Sequence, residues 1–492
     1  MGLKHRHNYE SVASTLKQSE IRYLESSFAG RLSLAVVYPN LYSLGMSNLG
    51  FMTVHRLASS VPGTGVERFF PALEAESPLS PPFYSFETGR PLGDFAVLMF
   101  SFSYEGDFDK IPGLFSALGL PVLSGERNRH HPLLIAGGAA VASNAPALSR
   151  IFDVLVPGEA ESTVVPILQQ LHRDGFDAAV LSGLPGVWVP SVTSEIPALC
   201  GTHDVNSQPA WSHIVSEHNA FGGAHIIEVM RGCPRNCSFC LARAIYSPVR
   251  HVRAGVISNW LDEHPACKDL GLVAPSLFDH PQVEEIFAML AQRGVRIRNS
   301  SVKWEKLTDP IIDALRKSGI TGLTIAPETG SERLRKEMHK PLDEGRFIES
   351  LQHLFSQGFE HVKMYFVACL PGEEDSDAEA TVEFIERVSK VVPGGASIST
   401  AFSIFVPKQH TPWQDLQAPC QYTIKKSLKF LRERLSRLSG QVKASFESPQ
   451  EAIRQAYLSR VGPELADEYD REAKECRENR LFARNQFSAL EF

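Results

Sequence analysis

Three cysteines stand within eight residues, in Arg231-Gly232-Cys233-Pro234-Arg235-Asn236-Cys237-Ser238-Phe239-Cys240. The other five (Cys200, Cys267, Cys369, Cys420 and Cys476) are scattered along a chain of 492 residues. A secreted disulfide protein of this length would not cluster its thiols so; in a reducing compartment a tight cluster points to metal. Thiolates suit zinc and iron–sulfur clusters. A closed zinc site takes four ligands, and no second cysteine pair or histidine pair follows at zinc-finger spacing. A four-iron cubane held by three protein thiolates keeps one iron open for a small chelating ligand. The competing reading is a chance trio or a zinc knuckle.

Such a loop needs rigid elements behind it. The stretch His225-Ile-Ile-Glu-Val-Met-Arg-Gly232 reads as a strand running straight into the first cysteine. Further strands are expected over 270–276, 295–303, 322–328, 361–368 and 396–407. Helical spacing fills the gaps, over 283–294, 309–319, 331–338, 345–358 and 377–390. Six strands alternating with helices predict a partial (β/α)6 barrel. Ahead of it, apolar runs at 32–40, 95–103, 132–141 and 151–161 each end in a Gly- or Ser-rich loop, with helical patterns between them. That order predicts a Rossmann-like parallel sheet. Ligands of such sheets bind at the carboxyl ends of the strands, so the loops at 40–50, 101–107, 136–144 and 157–161 are expected to line one crevice. The same glycines also serve as tight strand-to-helix turns. The chain is thus α/β throughout: a lead-in over 1–30, a Rossmann-like domain over 31–175, a Pro/Ser/Thr-rich linker over 176–218, the barrel over 219–420 and a helical extension over 421–492. The charged run near the end is expected to be a solvated helix covering the open side of the barrel.

With these residues in view, the chain resembles the radical S-adenosylmethionine (radical SAM) superfamily. The resemblance rests on CxxxCxxC, with Phe239 before the third cysteine, placed just after the first strand of a βα series. It implies that Cys233, Cys237 and Cys240 hold a 4Fe–4S cluster. The open iron would take the amino and carboxylate groups of S-adenosylmethionine, and electron transfer would release a 5′-deoxyadenosyl radical. It implies further that Phe239 lies close to the adenine. Glu328, in Ala326-Pro327-Glu328-Thr329-Gly330-Ser331, takes the place of the family's Glu-Ser/Thr-Gly segment and would bind an amino group or ribose hydroxyls; the plainer reading is a helix N-terminal acid. Ser300 ends a strand that reaches the cofactor pocket in related enzymes. Gly372 and Glu373, in Leu370-Pro371-Gly372-Glu373, resemble a turn whose backbone lies near adenine. One departure stands out. Where the family carries a Gly-Gly-Glu-like segment, this chain has Ala274-Pro275-Ser276-Leu277-Phe278-Asp279-His280, and Ser276 is the candidate to substitute.

The resemblance covers nearly all of residues 30–415 and extends to a branch in which a cobalamin-binding domain precedes the barrel. The Asp-x-His-x-x-Gly signature of the wider cobalamin-binding fold is absent here. Many radical SAM members of the branch lack it and hold cobalamin without a protein histidine. The loops at Gly137-Gly138 and Gly158-Glu159 are therefore read either as corrin-admitting loops or as turns of a degenerate domain.

Composition narrows the classes. Hydrophobic residues make up 43% and charged residues 21%, as in globular proteins. The formal net charge of −7 gives no electrostatic argument for a nucleic-acid or membrane partner. No apolar run follows the N-terminal charges and no apolar stretch is long enough to span a bilayer, so the cytoplasm is expected. The expectation is a radical SAM enzyme acting on a small or unidentified substrate, with flavodoxin or ferredoxin as reductant. The methyl-transfer version uses cobalamin. The alternatives are a cobalamin-free radical enzyme and a non-catalytic iron–sulfur binding or assembly protein.

Overall fold

The computed structural model describes residues 2–74, 77–78, 83–199, 201, 203–299, 301–438 and 442–479. They form two compact units. The front unit runs to Glu228 and includes Ile245–Pro248 and the residues from Arg460 onward; the second holds Val229–Ala244 and Val249–Ser459. Among the described residues no helix is long and apolar enough to cross a membrane.

The front unit opens with α1 (Gly2–Gln18) and is built on strands β1 (Leu32–Val37), β2 (Thr64–Phe69), β3 (Val97–Ser101), β4 (Leu133–Gly137) and β5 (Val154–Val156), with α2 (Leu49–Ser59), α3 (Ile111–Leu118) and α4 (Ala160–Asp174) among the connections. All neighbouring strands are parallel and the order is 2-1-3-4-5. This is a doubly wound order whose direction reverses between β1 and β3. Leu34, Val36, Val66, Met99, Ile135 and Val154 supply the apolar filling against Phe51 and Ile167 of the helices. Asn48 caps α2 by accepting from the Phe51 amide.

Sequence periodicity does not reveal β2. Its segment Thr-Gly-Val-Glu-Arg-Phe is buried along its whole length, charges included. The Arg68 guanidinium is fully enclosed and donates to Glu20 (2.7 and 2.8 Å) and Glu87 (2.7 Å). Glu67 accepts from Ser85 (2.6 Å) and Thr88 (2.8 Å). A polar-looking hexapeptide becomes a buried strand because these partners, distant in sequence, satisfy both charges. The expected linker also folds back on this unit: Ile214–Ser216 pairs antiparallel with Glu20–Arg22.

In the barrel series, β6 (His225–Glu228) leads into the cysteine loop, followed by β7 (Asp269–Val273), α5 (Val283–Gln292), β8 (Arg296–Ile297), α6 (Asp309–Lys317), β9 (Gly322–Glu328), α7 (Glu332–Glu337), α8 (Glu344–Ser356), β10 (His361–Ala368), α9 (Asp375–Ser389) and β11 (Ser397–Ile404). β7 pairs parallel with β8, and β9, β10 and β11 pair parallel in turn. Alternate residues of β9 to β11 are buried, which is the period-two signal of the sequence. The third strand is shorter than 295–303. Beyond Ile297, the Asn299 amide takes over, bonding both the N–H and the C=O of Leu272 at 2.7 Å, and Ser301 bridges to Thr324.

The segment after 420 is largely helical, with α10 (Gln421–Leu435), α11 (Pro449–Leu458) and α12 (Leu465–Asn479), but it also adds β12 (Val442–Phe446), parallel to β11. β12 is an edge strand with a mostly exposed face, so it lacks the apolar alternation that would announce it. The described part of the charged C-terminal run belongs to the front unit, not to the unit that holds the barrel strands β7 to β11. α12 packs instead on the front unit, against α3. Tyr469 donates to Asp109 (2.7 Å), Arg477 donates to the Leu120 carbonyl (2.6 Å) and Arg150 forks onto Asp467 (2.6 and 2.8 Å). Tyr469 and Leu465, fully buried, give the reason: the helix has an apolar side that charge counting hides.

Candidate functional site

The cysteine loop begins where Val229 donates its amide to the Val273 carbonyl at the end of β7 (2.9 Å). Gly232 turns the chain with φ of 80°. Cys233, Cys237 and Cys240 are each half-buried. Burial raises the thiols of Cys237 and Cys240, and the neighbouring cysteines push the same way. Lys340 acts against this on both, and the amides of Ala242 and Arg243 also favour the Cys240 thiolate. Metal binding needs the deprotonated sulfur, so a cation and hydrogen-bonding amides beside the thiols suit ligation. Among the described residues no three His, Cys, Asp or Glu side chains are grouped to hold a single metal ion. A cubane asks for a wider arrangement, one thiolate to each of three irons, and three thiols on one short loop fit that demand.

The loop is docked at its third-cysteine end. The Ser238 amide donates to the Met338 carbonyl (3.0 Å), and its hydroxyl lies 2.7 Å from His339 Nδ1. Phe239 packs against the buried set Leu334, Met338, Leu370 and Phe405, with its ring centroid 6.3 Å from that of Trp413. Phe239 is thereby joined to residues that follow β9, β10 and β11. Leu370 is the first residue of the Leu-Pro-Gly-Glu turn.

Glu328 ends β9 after a register shift that begins at Ile325, where Pro327 could not have donated to a ladder. Its φ is 67°, a left-handed conformation that is costly for a residue with a Cβ. Its carboxylate accepts from Lys340 Nζ at 2.5 Å. The following Gly330 is required for space: a Cβ there would stand 2.4 Å from Thr381 Cα and 2.5 Å from the Ala380 carbonyl oxygen of α9. Ser331 then caps α7 through the Leu334 amide, while its hydroxyl donates to Asp377 (2.5 Å). The Glu-Thr-Gly-Ser segment is thus a strand end, a close approach to α9 and a helix start in four residues.

The remaining residues singled out by sequence, Ser300 apart, each have a definite place. Ser276 donates to Asp279 (2.7 Å). Gly372 has φ of 69°, and its carbonyl accepts from Arg333 (2.7 Å). Glu373 folds back so that its carboxylate accepts from the Leu370 amide (2.7 Å); burial pushes its carboxyl up to about 7. Cys369 is buried with φ of 58°, away from the clustered cysteines in sequence and packed as a small side chain. Ser300 lies outside the described residues.

Sequence reasoning missed Asp279, Arg235, Lys303 and Lys340. Asp279 is nearly buried and accepts a guanidinium fork from Arg235 (2.9 and 2.7 Å) together with the Ser276 hydroxyl and the Lys303 ammonium. Burial opposes its ionisation, but these hydrogen bonds hold its carboxyl well below the usual carboxylate range. Only the position of Arg235 inside the cysteine spacing was available as a signal; the others are brought in by separate loops.

In the front unit, the loops after β1 and β3 meet where the strand order reverses. Asn40 donates to Asp107 (2.7 Å) and Asn48 to Ser103 (2.7 Å). Burial raises the Asp107 carboxyl to about 7, against the Asn40 hydrogen bond. The loop after β4 joins them through Ser143 and Glu105 (3.2 Å). Gly138, with φ of 107°, is fixed by the backbone of Phe102, whose carbonyl oxygen stands 2.4 Å from where a Cβ would be. Gly158, by contrast, has nothing within 4 Å of its Cβ position.

Known proteins resemble this chain in sequence and in fold. Residues 50–190 match the family model described as radical SAM proteins, N-terminal, and residues 227–385 match that of the radical SAM superfamily. An uncharacterized protein of Methanocaldococcus jannaschii is 28% identical over 447 residues, covering 89% of this chain and 90% of that protein. The tRNA-2-methylthio-N(6)-dimethylallyladenosine synthase of Acidithiobacillus ferrooxidans is 23% identical over 195 residues, which span 36% of this chain and less than half (43%) of that enzyme. Two solved structures share the fold. One is the radical S-adenosylmethionine methyltransferase TsrM from Kitasatospora setae, with tryptophan and a SAM analogue bound (13% identity, TM-score 0.54, covering 78% of this chain and 75% of that one). The other is the cobalamin-dependent S-adenosylmethionine radical enzyme OxsB, with aqua-cobalamin and S-adenosylmethionine bound (11% identity, TM-score 0.51, covering 91% and 71%). With the N-terminal and core family regions matched in order, and a three-cysteine loop at the head of a partial barrel behind a 2-1-3-4-5 parallel sheet, the chain belongs to the radical SAM superfamily of enzymes, in the branch whose barrel follows a Rossmann-like front domain.

Proposed function

We propose that this enzyme binds a 4Fe–4S cluster through Cys233, Cys237 and Cys240, cleaves S-adenosylmethionine reductively there, and works with a cobalamin held by the front domain to transfer a methyl group to an unactivated carbon. When bound, the cluster supplies the one electron that breaks the sulfur–C5′ bond, giving methionine and a 5′-deoxyadenosyl radical. The observation that carries this reading is the docking of the three-thiol loop. Its Phe239 meets Leu370, Phe405 and Trp413 at strand ends, where a ligand of a barrel is expected to sit. In this reading Phe239 and the backbone at Gly372 border the adenine. Glu328, aimed by its left-handed backbone and steadied by Lys340, receives an amino group or ribose hydroxyls. Ser276 acts by holding Asp279, and Glu373 by shaping the turn that carries Gly372. Ser300 remains assigned to the cofactor pocket by resemblance alone. A flavodoxin or ferredoxin is the class of reductant.

The cobalamin part is supported by the strand order of the front unit. Doubly wound sheets bind ligands beside the carboxyl ends of their strands at the point of reversal, here between the loops that hold Asn40 and Asp107. The competing version, a radical enzyme without cobalamin, is favoured by the missing Asp-x-His-x-x-Gly signature and by the mutual hydrogen bonding of Asn40 with Asp107 and Asn48 with Ser103.

The test is anaerobic reconstitution with iron and sulfide, then reduction with S-adenosylmethionine and hydroxocobalamin present. 5′-Deoxyadenosine is expected from wild type and not from Cys233→Ala, Cys237→Ala or Cys240→Ala. A corrin spectrum retained through desalting supports methyl transfer, and its loss supports the cobalamin-free version. A cluster that assembles but never cleaves S-adenosylmethionine, even with substrate-rich extract, overturns the enzymatic reading in favour of an iron–sulfur binding protein.

A further inference from the structure

Asp279 stands where the superfamily's glycine-rich, acid-ending segment would be, yet it does not project as a free carboxylate. Its side chain is only 8% exposed. Two cations and one hydroxyl converge on it from three loops: Arg235 from between the first two cysteines, Ser276 from the loop after β7, and Lys303 from the chain beyond β8. Glu305 is also within Coulombic reach of Arg235, so two cations face two carboxylates here, and the effect on the ligand loop depends on where each charge stands. Arg235 stands between Cys233 and Cys237 in the chain, and its guanidinium is within Coulombic reach of Cys233.

We propose that Asp279 is a positioning residue that sets the charge felt by the cluster, pinning Arg235 and Lys303 beside the cysteine loop so that their positive charge favours the reduced cluster while the carboxylate moderates it. This rests on the reading of the three cysteines as cluster ligands. The physics is direct. Adding an electron makes the cluster more negative, so a nearby cation stabilises the reduced form and a nearby anion opposes it. In a site partly closed to water these effects are weakly screened. Arg235 also mechanically ties the span Pro234–Asn236 to the loop after β7, and its fork fixes orientation as well as distance.

The two roles, charge and anchorage, separate by sign. Asp279→Asn keeps a side chain of the same shape that still accepts hydrogen bonds but removes the negative charge. Arg235→Gln and Lys303→Gln each remove a positive one. The reconstituted full-length holoenzymes would be poised anaerobically with dithionite and mediators, and the reduced-cluster EPR signal measured against potential, with iron and sulfide content determined for each. At a fixed potential near the wild-type midpoint, the ratio of reduced to oxidised cluster is expected to rise several-fold in Asp279→Asn and to fall several-fold in Arg235→Gln and Lys303→Gln. Lys303 lies outside the ligand loop, so its variant is expected to keep the full iron content. Shifts in one common direction, no shift, or simple loss of iron in all three variants would mark the network as anchorage alone and overturn the inference. A wild type that assembles no cluster overturns the ligand reading, and this inference with it; a wild type that does, with variants failing the sign test, overturns this inference alone.

Discussion

Replacing Gly330 with alanine tests how the Glu328 segment is held. The added Cβ would stand 2.4 Å from Thr381 Cα, 2.5 Å from the Ala380 carbonyl oxygen and 2.8 Å from the Ala380 carbonyl carbon, all backbone of α9. Ordinary contact begins near 3.4 Å, so the segment 328–331 and α9 must separate by about 1 Å. No flexible side chain is there to give way. Overpacking of this kind costs about 1–3 kcal/mol. The separation also stretches the Gly330 amide bond to Thr381 Oγ1, now 3.0 Å. Glu328 is two residues away, and a displacement of about 1 Å at a group that orients a reactant costs on the order of 100-fold in rate. Urea unfolding of the cluster-free protein should show a lower midpoint at unchanged slope, and the holoenzyme should form 5′-deoxyadenosine far more slowly. Gly255→Ala is the control: it lies in the helix Ala254–Glu263 with nothing within 4 Å of its Cβ position, and is expected to be neutral or stabilising by up to about 1 kcal/mol. If Gly330→Ala kept both the midpoint and the cleavage rate of wild type, the argument from the close approach of α9 would be wrong.

Glu328→Gln keeps the shape of the side chain but loses its charge, and should raise the KM for S-adenosylmethionine by about tenfold or more, the equivalent of one charge-assisted hydrogen bond; an unchanged KM would return Glu328 to a structural role. Glu373 carries a carboxyl raised from 4.5 to about 7 by burial. Its folded form therefore holds a proton that the unfolded chain releases, and stability present below pH 4.5 is lost as pH rises through 7, by up to about 3 kcal/mol. Glu373→Gln should flatten that slope in unfolding experiments between pH 5 and about 8. Arg68→Met leaves Glu20 and Glu87 to the partly exposed Arg22 and should destabilise the front unit by roughly 3 kcal/mol; a loss under 1 kcal/mol would mean that Arg22 alone compensates both carboxylates.

Much of this architecture is legible in the chain because it obeys a period. The alternation in His361–Ala368 and Ser397–Ile404, and the helical spacing in Val283–Gln292 and Glu344–Ser356, follow from one face packing and the other not. The cysteine trio is legible because a cluster loop needs its thiols close in sequence. What escapes is what depends on partners brought from afar. Thr64–Phe69 reads as polar because the partners of Glu67 and Arg68, among them Ser85, Thr88, Glu20 and Glu87, lie elsewhere in the chain. Asp279 reads as one acid among many because its two cations come from other loops. Ser276 and Glu373 sit in segments marked by resemblance, yet both side chains are engaged within their own turns, a detail that spacing does not encode.

The return of α12 to the front unit bears on how the protein is made. The last sheet-proximal strand of that unit ends at Glu228, while the helix that seals α3 does not begin until Leu465. At about 5–20 residues per second, the ribosome needs on the order of 10–50 seconds to supply the piece that completes it. Throughout that interval the nascent front unit presents the surface that Leu465 and Tyr469 will bury, and the barrel emerges and folds as an insertion within it. A fragment ending at 228 would be held permanently in that unfinished state. Chain order thus places the whole of the second unit between the strands of the front unit and the helix that seals α3.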